Sequence, residues 1–328
     1  MKKKKKVSYA KYGYIFSIPF VVAFTLFTLY PIVFTVILGF TDFKGLGNVN
    51  YHFLENPLQN FQNILAAPTF RTALGNTVMI WGWNFLPQIL LALLLAAIFT
   101  NTRNKVKGQG FFKVVFYMPN IITAATVAIL FAAFFGYPMG PVNDIFTTLK
   151  ISEGPVDFLM NKWVARGLVS FIQFWMWYGY TMIVLISGIL GISPELYEAA
   201  DIDGATTVQE FFYITLPNLR TVLIFTLITS MIGGLTMFDI PQLLVRKSGP
   251  NNATLTTSVF IYNQAFSGSY MYNRASAASV IMFILIAILS VIVFRLMQDK
   301  QEEAEKKMLK KVAREEKKRM KLAAKGGM

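Results

Sequence analysis

Long apolar runs separated by short polar loops dominate the pattern along this chain. Six of them approach or exceed the roughly 20 residues that a helix needs to cross a bilayer core. They cover residues 14–40, 73–99, 111–135, 167–190, 219–245 and 276–296. The pattern predicts an all-α integral membrane protein with six transmembrane helices. Pro19, Pro31, Pro87 and Pro119 lie inside or near the edges of these spans. Neighbouring helices or water can satisfy the carbonyls they free, so kinks are expected there. A basic segment, 1–13, precedes the first span and a charged tail, 297–328, follows the last. No longer repeat is visible, and 14–296 reads as one transmembrane domain.

Composition agrees with this pattern. Apolar residues make up 55% of the chain and charged residues 15%, against about 25% charged in soluble domains. The first apolar run is far longer than the roughly 7–15 residues of a signal peptide and has no small-x-small cleavage site after it, so it reads as an uncleaved span. The net charge of +14 would suit nucleic acid, but the basic clusters abut the spans and the aromatic residues lie within the apolar runs. Anionic headgroups explain such clusters, which leaves the bilayer as partner and no nucleic acid. With no cysteine and the single His52 in a polar loop, disulfides, thiolate chemistry and Cys/His metal sites are excluded. Neither a catalytic nor a metal site is expected, and the chain does not read as an enzyme.

Basic residues also orient the spans. They crowd residues 2–6, Lys11, the loop with Arg103, Lys105, Lys107 and Lys113, and the tail, which predicts that both termini are cytoplasmic. The alternate loops are poorer for their length, with Lys44 and Arg71, then Lys150, Lys162 and Arg166, then Arg246, Lys247 and Arg274. The same parity makes the loop 191–217 cytoplasmic, yet that loop sets Glu195, Glu198, Asp201, Asp203 and Glu210 against Arg220. In the tail, Ala304, Met308, Leu309 and Val312 form a thin apolar stripe, as in a solvated helix near the headgroups.

The acidic loop begins "ELYEAADIDG" and predicts helix, turn, helix. Ser193 can cap the first helix, Pro194 suits its first turn, and Glu195 stands near the positive end of its dipole. Gly204 suits the left-handed residue that ends a helix. Thr206 or Thr207 caps a second segment, 208–215, and Pro217 marks the next span. Ala199 and Ala200 let another surface approach closely, with Glu198, Asp201 and Asp203 as charge at its edge. Solvated loop charge is the plain alternative. "DIDG" matches part of a calcium loop, but the remaining ligands are missing.

The order Glu198-Ala199-Ala200, three residues, Gly204, nine residues, Ile214, one residue, Leu216-Pro217 resembles the EAA signature of ABC-importer permeases, EAA-x3-G-x9-I-x-L-P. "MFDIPQLLVRKSGP" and "IYNQAFSGSYMYNRASAAS" extend the resemblance to carbohydrate permeases of the maltose and multiple-sugar type, over about 14–296. Ser248-Gly249-Pro250 replaces that family's usual Gly-Gly-Pro. The resemblance implies a type I importer permease fold and a bacterial-type cell membrane. It implies a cytoplasmic coupling helix that docks on an ATPase dimer, a second permease subunit as heterodimer partner, and an extracytoplasmic sugar-binding protein. It also implies coupling roles for Glu198, Ala199, Ala200, Asp201, Gly204, Ile214, Leu216 and Pro217.

Two sequence features agree with a transport subunit. There is no GxxxxGK[ST] phosphate loop, so no cofactor is expected on this chain, and ATP and magnesium would be used by the partner ATPase. The spans also hold almost no ionisable residue, whereas a proton- or sodium-coupled carrier usually shows intramembrane acids; Asp239 is the one obvious candidate. A membrane-embedded enzyme would need a cluster of catalytic residues at membrane depth, and none is seen. Sugar recognition needs aromatic faces and a few placed polar groups. "QFWMWYGY" supplies Gln173, Met176, Trp177 and Tyr180, and by resemblance to the maltose permease these line the sugar site together with Gly233, Gly234 and Asp239. Aromatic residues in spans also serve packing and interfacial belts. A non-sugar solute such as glycerol phosphate would call for a cationic cavity, and no Arg or Lys lies deep in a span.

Overall fold

The computed structural model describes residues 10–45, 50–103, 105–245, 248–268 and 270–297. The expectations for the basic run 2–6 and for the tail from residue 298 lie outside them. Among the described residues the architecture is helical, with one isolated antiparallel bridge between Thr41 and Phe53.

The chain opens with α1 (Ala10–Phe24), a π-helical turn (Thr25–Leu29) and α2 (Tyr30–Leu38). The wide turn has a local cause. Pro31 has no N–H to donate, and the ladder adjusts one residue earlier, where the Tyr30 N–H reaches back five residues to the Thr25 carbonyl. There follow α3 (Gln59–Ala66), α4 (Pro68–Thr100), α5 (Gln109–Ile121), α6 (Ala124–Phe134), α7 (Pro141–Thr148) and α8 (Lys162–Leu190). Beyond them come α9 (Pro194–Ile202), α10 (Thr207–Glu210), α11 (Leu216–Asn218), α12 (Arg220–Leu235), α13 (Asp239–Leu244), α14 (Thr257–Phe266) and α15 (Tyr272–Met297).

Among the described residues, five helical segments are long and apolar enough to cross a membrane: Tyr12–Leu38, Pro68–Thr100, Lys162–Leu190, Arg220–Leu244 and Tyr272–Met297. The third expected span, 111–135, is not one helix. It breaks into α5 and α6 at Ile122 and Thr123, and it makes a sixth span when the pair is counted together. The break is stabilised by Thr123, whose hydroxyl caps α6 by accepting from the Thr126 N–H at 3.3 Å. The fifth span is interrupted too, at 236–238, between α12 and α13.

Two compact units alternate along the described chain: residues 10–84, 122–174 and 234–285 form the first, and 85–121, 175–233 and 286–297 the second. In the first unit α13 packs on α6. Buried Asn60 donates to the carbonyls of Gly39 and Thr41 at 3.0 and 2.8 Å, tying α3 to the end of α2. In the second unit an apolar cluster joins Ala92, Ala96 and Phe99 of α4 to Met182, Leu185 and Ile189 of α8, with Leu219 closing it. The small alanines let these helices approach closely, the usual packing device where lipid supplies no hydrophobic drive. Gln88 and Thr181, both buried, share a hydrogen bond of 2.8 Å across the same two helices. Ile189 and Leu219 of this cluster flank the acidic loop in sequence.

Candidate functional site

The loop 191–217 is folded largely by its own backbone. Pro194 occupies the first turn of α9, and Glu195 lies in that turn. Ser193 stands at the cap position, but its hydroxyl makes no capping bond; its carbonyl instead accepts from the Leu196 N–H at 3.2 Å. At the other end Gly204 adopts φ +75°. The Ala205 N–H bonds to the Ala200 carbonyl at 2.9 Å and the Gly204 N–H to the Asp201 carbonyl at 3.1 Å. This pair of bonds is a Schellman motif, which satisfies the orphan carbonyls of the helix end.

Thr206, rather than Thr207, caps the next helix. Its hydroxyl accepts from the Gln209 N–H at 3.3 Å, while Gln209 Oε1 accepts from the Thr206 N–H at 2.7 Å, a reciprocal capping box. A second π-helical turn, Phe211–Thr215, precedes Pro217, and the Leu216 N–H reaches back to Phe211. The cause is the one seen at Pro31. Ile214 and Leu216 are half-buried here and Pro217 is exposed.

Helix α9 has no buried residue, and its two sides differ. Pro194, Tyr197, Glu198 and Asp201, at helical spacing, line a cavity of about 320 Å³ whose far wall includes Ala97, Thr100 and Ile189. Glu195, Ala199 and Ile202 fall on another side and are exposed; Ile202 is 87% exposed. Tyr197 bridges to Thr215 through their hydroxyls at 2.9 Å.

The acids do not share one environment. Arg103, from the segment that follows α4, donates through Nε to Asp201 Oδ1 at 2.8 Å and through Nη2 to Asp201, to Glu210 and to the Ala205 carbonyl, the last at 2.8 Å. Its hydrogen bonds to Asp201, reinforced by the charges of Asp201 and Glu210, hold the guanidinium pKa above its ordinary value against partial desolvation. Sequence reading placed Arg103 only among the basic residues that orient the chain. Its link to residues about a hundred positions later is not visible in any local pattern. Arg220, the first residue of α12, donates to the Met297 carbonyl at the end of α15. Among the described residues, no group of His, Asp and Glu is placed to hold a metal. The arrangement is a braced helix with an acidic and apolar outer side.

Residues 102–306 match the family described as the binding-protein-dependent transport system inner membrane component. The chain belongs to this family. It is therefore an inner-membrane, multi-pass permease, a transport component that works with a binding protein. The permease is 34% identical over 284 residues to the arabinooligosaccharides transport system permease protein AraP of Bacillus subtilis (strain 168), covering 86% of this chain and 87% of that one. It is 31% identical to the lactose transport system permease protein LacF of Rhizobium radiobacter, covering 86% and 92%. Its fold matches a chain in the crystal structure of a bacterial alginate ABC transporter in complex with alginate pentasaccharide-bound periplasmic protein. The TM-score is 0.71 at 23% identity, over 87% of this chain and 93% of that one.

The candidate solute-lining residues of the permease divide between the two units. Gln173, Gly234 and Asp239 fall in the first, and Met176, Trp177, Tyr180 and Gly233 in the second. Gln173 is half-buried and Asp239 is exposed in the first turn of α13. Met176 is buried, at 5% exposure, while Trp177 and Tyr180 are exposed at 44% and 37%. The rings of Trp177 and Tyr180 meet edge to face with centroids 5.8 Å apart. A Cβ on Gly234 would lie 2.0 Å from Trp81 Cδ1, whereas one on Gly233 would meet nothing within 4 Å. Gly234 is thus a packing glycine as it stands.

Proposed function

We propose that this permease forms half of the translocation pathway of an ATP-driven sugar importer, with an oligosaccharide as solute. The partners are a second permease subunit, a cytoplasmic ATPase dimer that uses ATP and magnesium, and an extracytoplasmic sugar-binding protein. Both termini are cytoplasmic in this reading, and α9 faces the ATPase. The named solutes of the relatives, arabino-oligosaccharides and lactose, support sugar as the class.

The observation that carries the reading is α9 itself: a capped helix with no buried residue, presenting Glu195, Ala199 and Ile202 outward. Ala199 permits close approach, Ile202 supplies apolar area, and Glu195 and Glu198 supply charge at the rim. Gly204 sets the bend, and Ile214, Leu216 and Pro217 carry the loop into the fifth span. ATP closes the ATPase dimer and moves α9 as a rigid element, and the spans switch the side from which the pathway opens. The switch works only if the ATPase grips α9 differently in its two states. In this reading Gln173, Trp177, Tyr180 and Asp239 are the solute-lining side chains, which supply the stacking faces and polar groups that a sugar needs.

Reconstitution of the whole complex in vesicles tests the proposal. Uptake of a labelled oligosaccharide should require binding protein outside and ATP on the other side. Uptake driven by a proton or sodium gradient without ATP would overturn it, and preferential uptake of glycerol phosphate would overturn the sugar assignment.

A further inference from the structure

We infer that Arg103 is a positioning residue of the coupling device, a strut that makes α9 and the end of α4 move as one body. The inference rests on the coupling role proposed above for α9. That helix projects from the body of its unit, and between its inner side and the ends of α4 and α8 lies the 320 Å³ cavity. Close-packed interiors transmit displacement because no space is left to absorb it; a gap of this size does the opposite. A push on α9 would tilt it into the cavity unless a bracket crossed from one side to the other.

Arg103 is such a bracket. It stands three residues beyond the last residue of α4, Thr100. Its guanidinium holds the C-terminal turn of α9 through Asp201, the following bend through the Ala205 carbonyl, and α10 through Glu210. An isolated exposed ion pair would do little. Here one planar group has three acceptors on three successive pieces of the loop, and the Glu210 side chain is only 12% exposed. A fork of fixed donors suits this role, and a lysine ammonium does not reproduce it. The consequence is a division of labour among the acids. Asp201 and Glu210 are spent inside the chain, and Glu195, Glu198 and Asp203 are left for the partner.

The test uses the full complex, with second permease, ATPase and binding protein, in lipid vesicles. Oligosaccharide moved per ATP hydrolysed should fall at least about five-fold in Arg103→Gln, the low end of coupling between linked sites. Arg103→Lys should fall between that value and wild type. The chain contains no cysteine, so spin labels at Leu196→Cys on α9 and Ile98→Cys on α4 report the strut directly. Their distance distribution should be narrow with Arg103 and broadened without it. Wild-type transport per ATP and an unbroadened distribution in both variants would overturn the strut while leaving ATP coupling intact. A wild-type complex whose uptake ignores ATP would instead overturn the coupling reading, and the strut's transport role with it. Should Arg103→Gln not assemble, the lysine variant carries the test: full coupling in it counts against the three-acceptor fork.

Discussion

Arg166 donates from Nη2 to Asn76 Oδ1 at 2.7 Å, and Asn76 donates through Nδ2 to the carbonyls of Asn252 and Leu255 at 2.7 and 3.0 Å. Arg166 Nε also holds the Ala253 carbonyl at 3.0 Å, and its guanidinium lies over Trp163. The loop gripped in this way includes Ser248, Asn251 and Asn252 at φ 62°, 51° and 57°. Left-handed residues other than glycine persist only where their surroundings over-determine them. Asn76 and Arg166 supply that over-determination.

Replacing Asn76 by Ala should therefore release the loop 248–256. The Leu255 carbonyl loses its donor beside a buried side chain, which should cost about 2 kcal/mol. Asn76→Asp keeps the acceptor for Arg166 but removes both donors, so it should loosen the loop nearly as much. Amide exchange of 248–256 in the purified protein reads this. Equal protection in wild type and both variants would contradict the assignment.

Gly204 should be sensitive to backbone conformation and indifferent to bulk as such. A Cβ there meets nothing within 4 Å, yet φ is +75°, which costs an ordinary L-residue about 1–2 kcal/mol. Gly204→Val should lose most uptake with insertion intact, Gly204→Ala should lose less, and Gly204→Asn should come nearest to wild type because asparagine tolerates this region. An asparagine variant as inactive as the valine one would mean that contact with the partner, and not the bend, decides.

The parts of the molecule that were legible in the sequence are those with local causes. Apolar runs of membrane length located the spans, Gly204 announced the turn, and the pair Thr206 and Thr207 announced a cap that falls to Thr206. The kink expected at Pro119 comes as a full break three residues later, at Ile122 and Thr123; its extent was not legible because apolar residues continue on both sides of it. The brace at Arg103 and the clamp between Asn76 and Arg166 escaped for a different reason. Each joins residues far apart in the chain, and a single sequence carries no trace of such pairing. Met176 shows the limit of spacing arguments. It lies between half-buried Trp175 and exposed Trp177 in sequence, and the helix nevertheless turns it inward.

Gly233 and Gly234 should part ways on substitution. Gly234→Ala forces a contact with Trp81 that cannot exist, and overpacking of this kind costs roughly 1–3 kcal/mol. Thermal unfolding in detergent should show the loss, and Trp81→Phe should restore part of it by clearing space. Gly233→Ala should leave stability unaltered, so any transport defect there would report on the pathway. Equal melting temperatures for the two alanine variants would remove the distinction.

Trp177 and Met176 separate solute contact from packing on one turn of α8. Trp177 is exposed and held edge-on by Tyr180, so Trp177→Ala should alter transport with little effect on folding. Loss of a stacking contact worth about 1.4 kcal/mol would weaken oligosaccharide binding roughly ten-fold, read as a raised concentration for half-maximal uptake. Met176 is buried, and Met176→Ala should instead lower stability by about 2–5 kcal/mol while leaving the order of preferred sugars unaltered. Paired measurement of melting temperature and competition among sugars distinguishes the two. A Met176 variant that keeps its melting temperature but changes its preferred sugar would place that side chain in the pathway. A Trp177 variant that melts early and transports normally per folded molecule would return the tryptophan to packing.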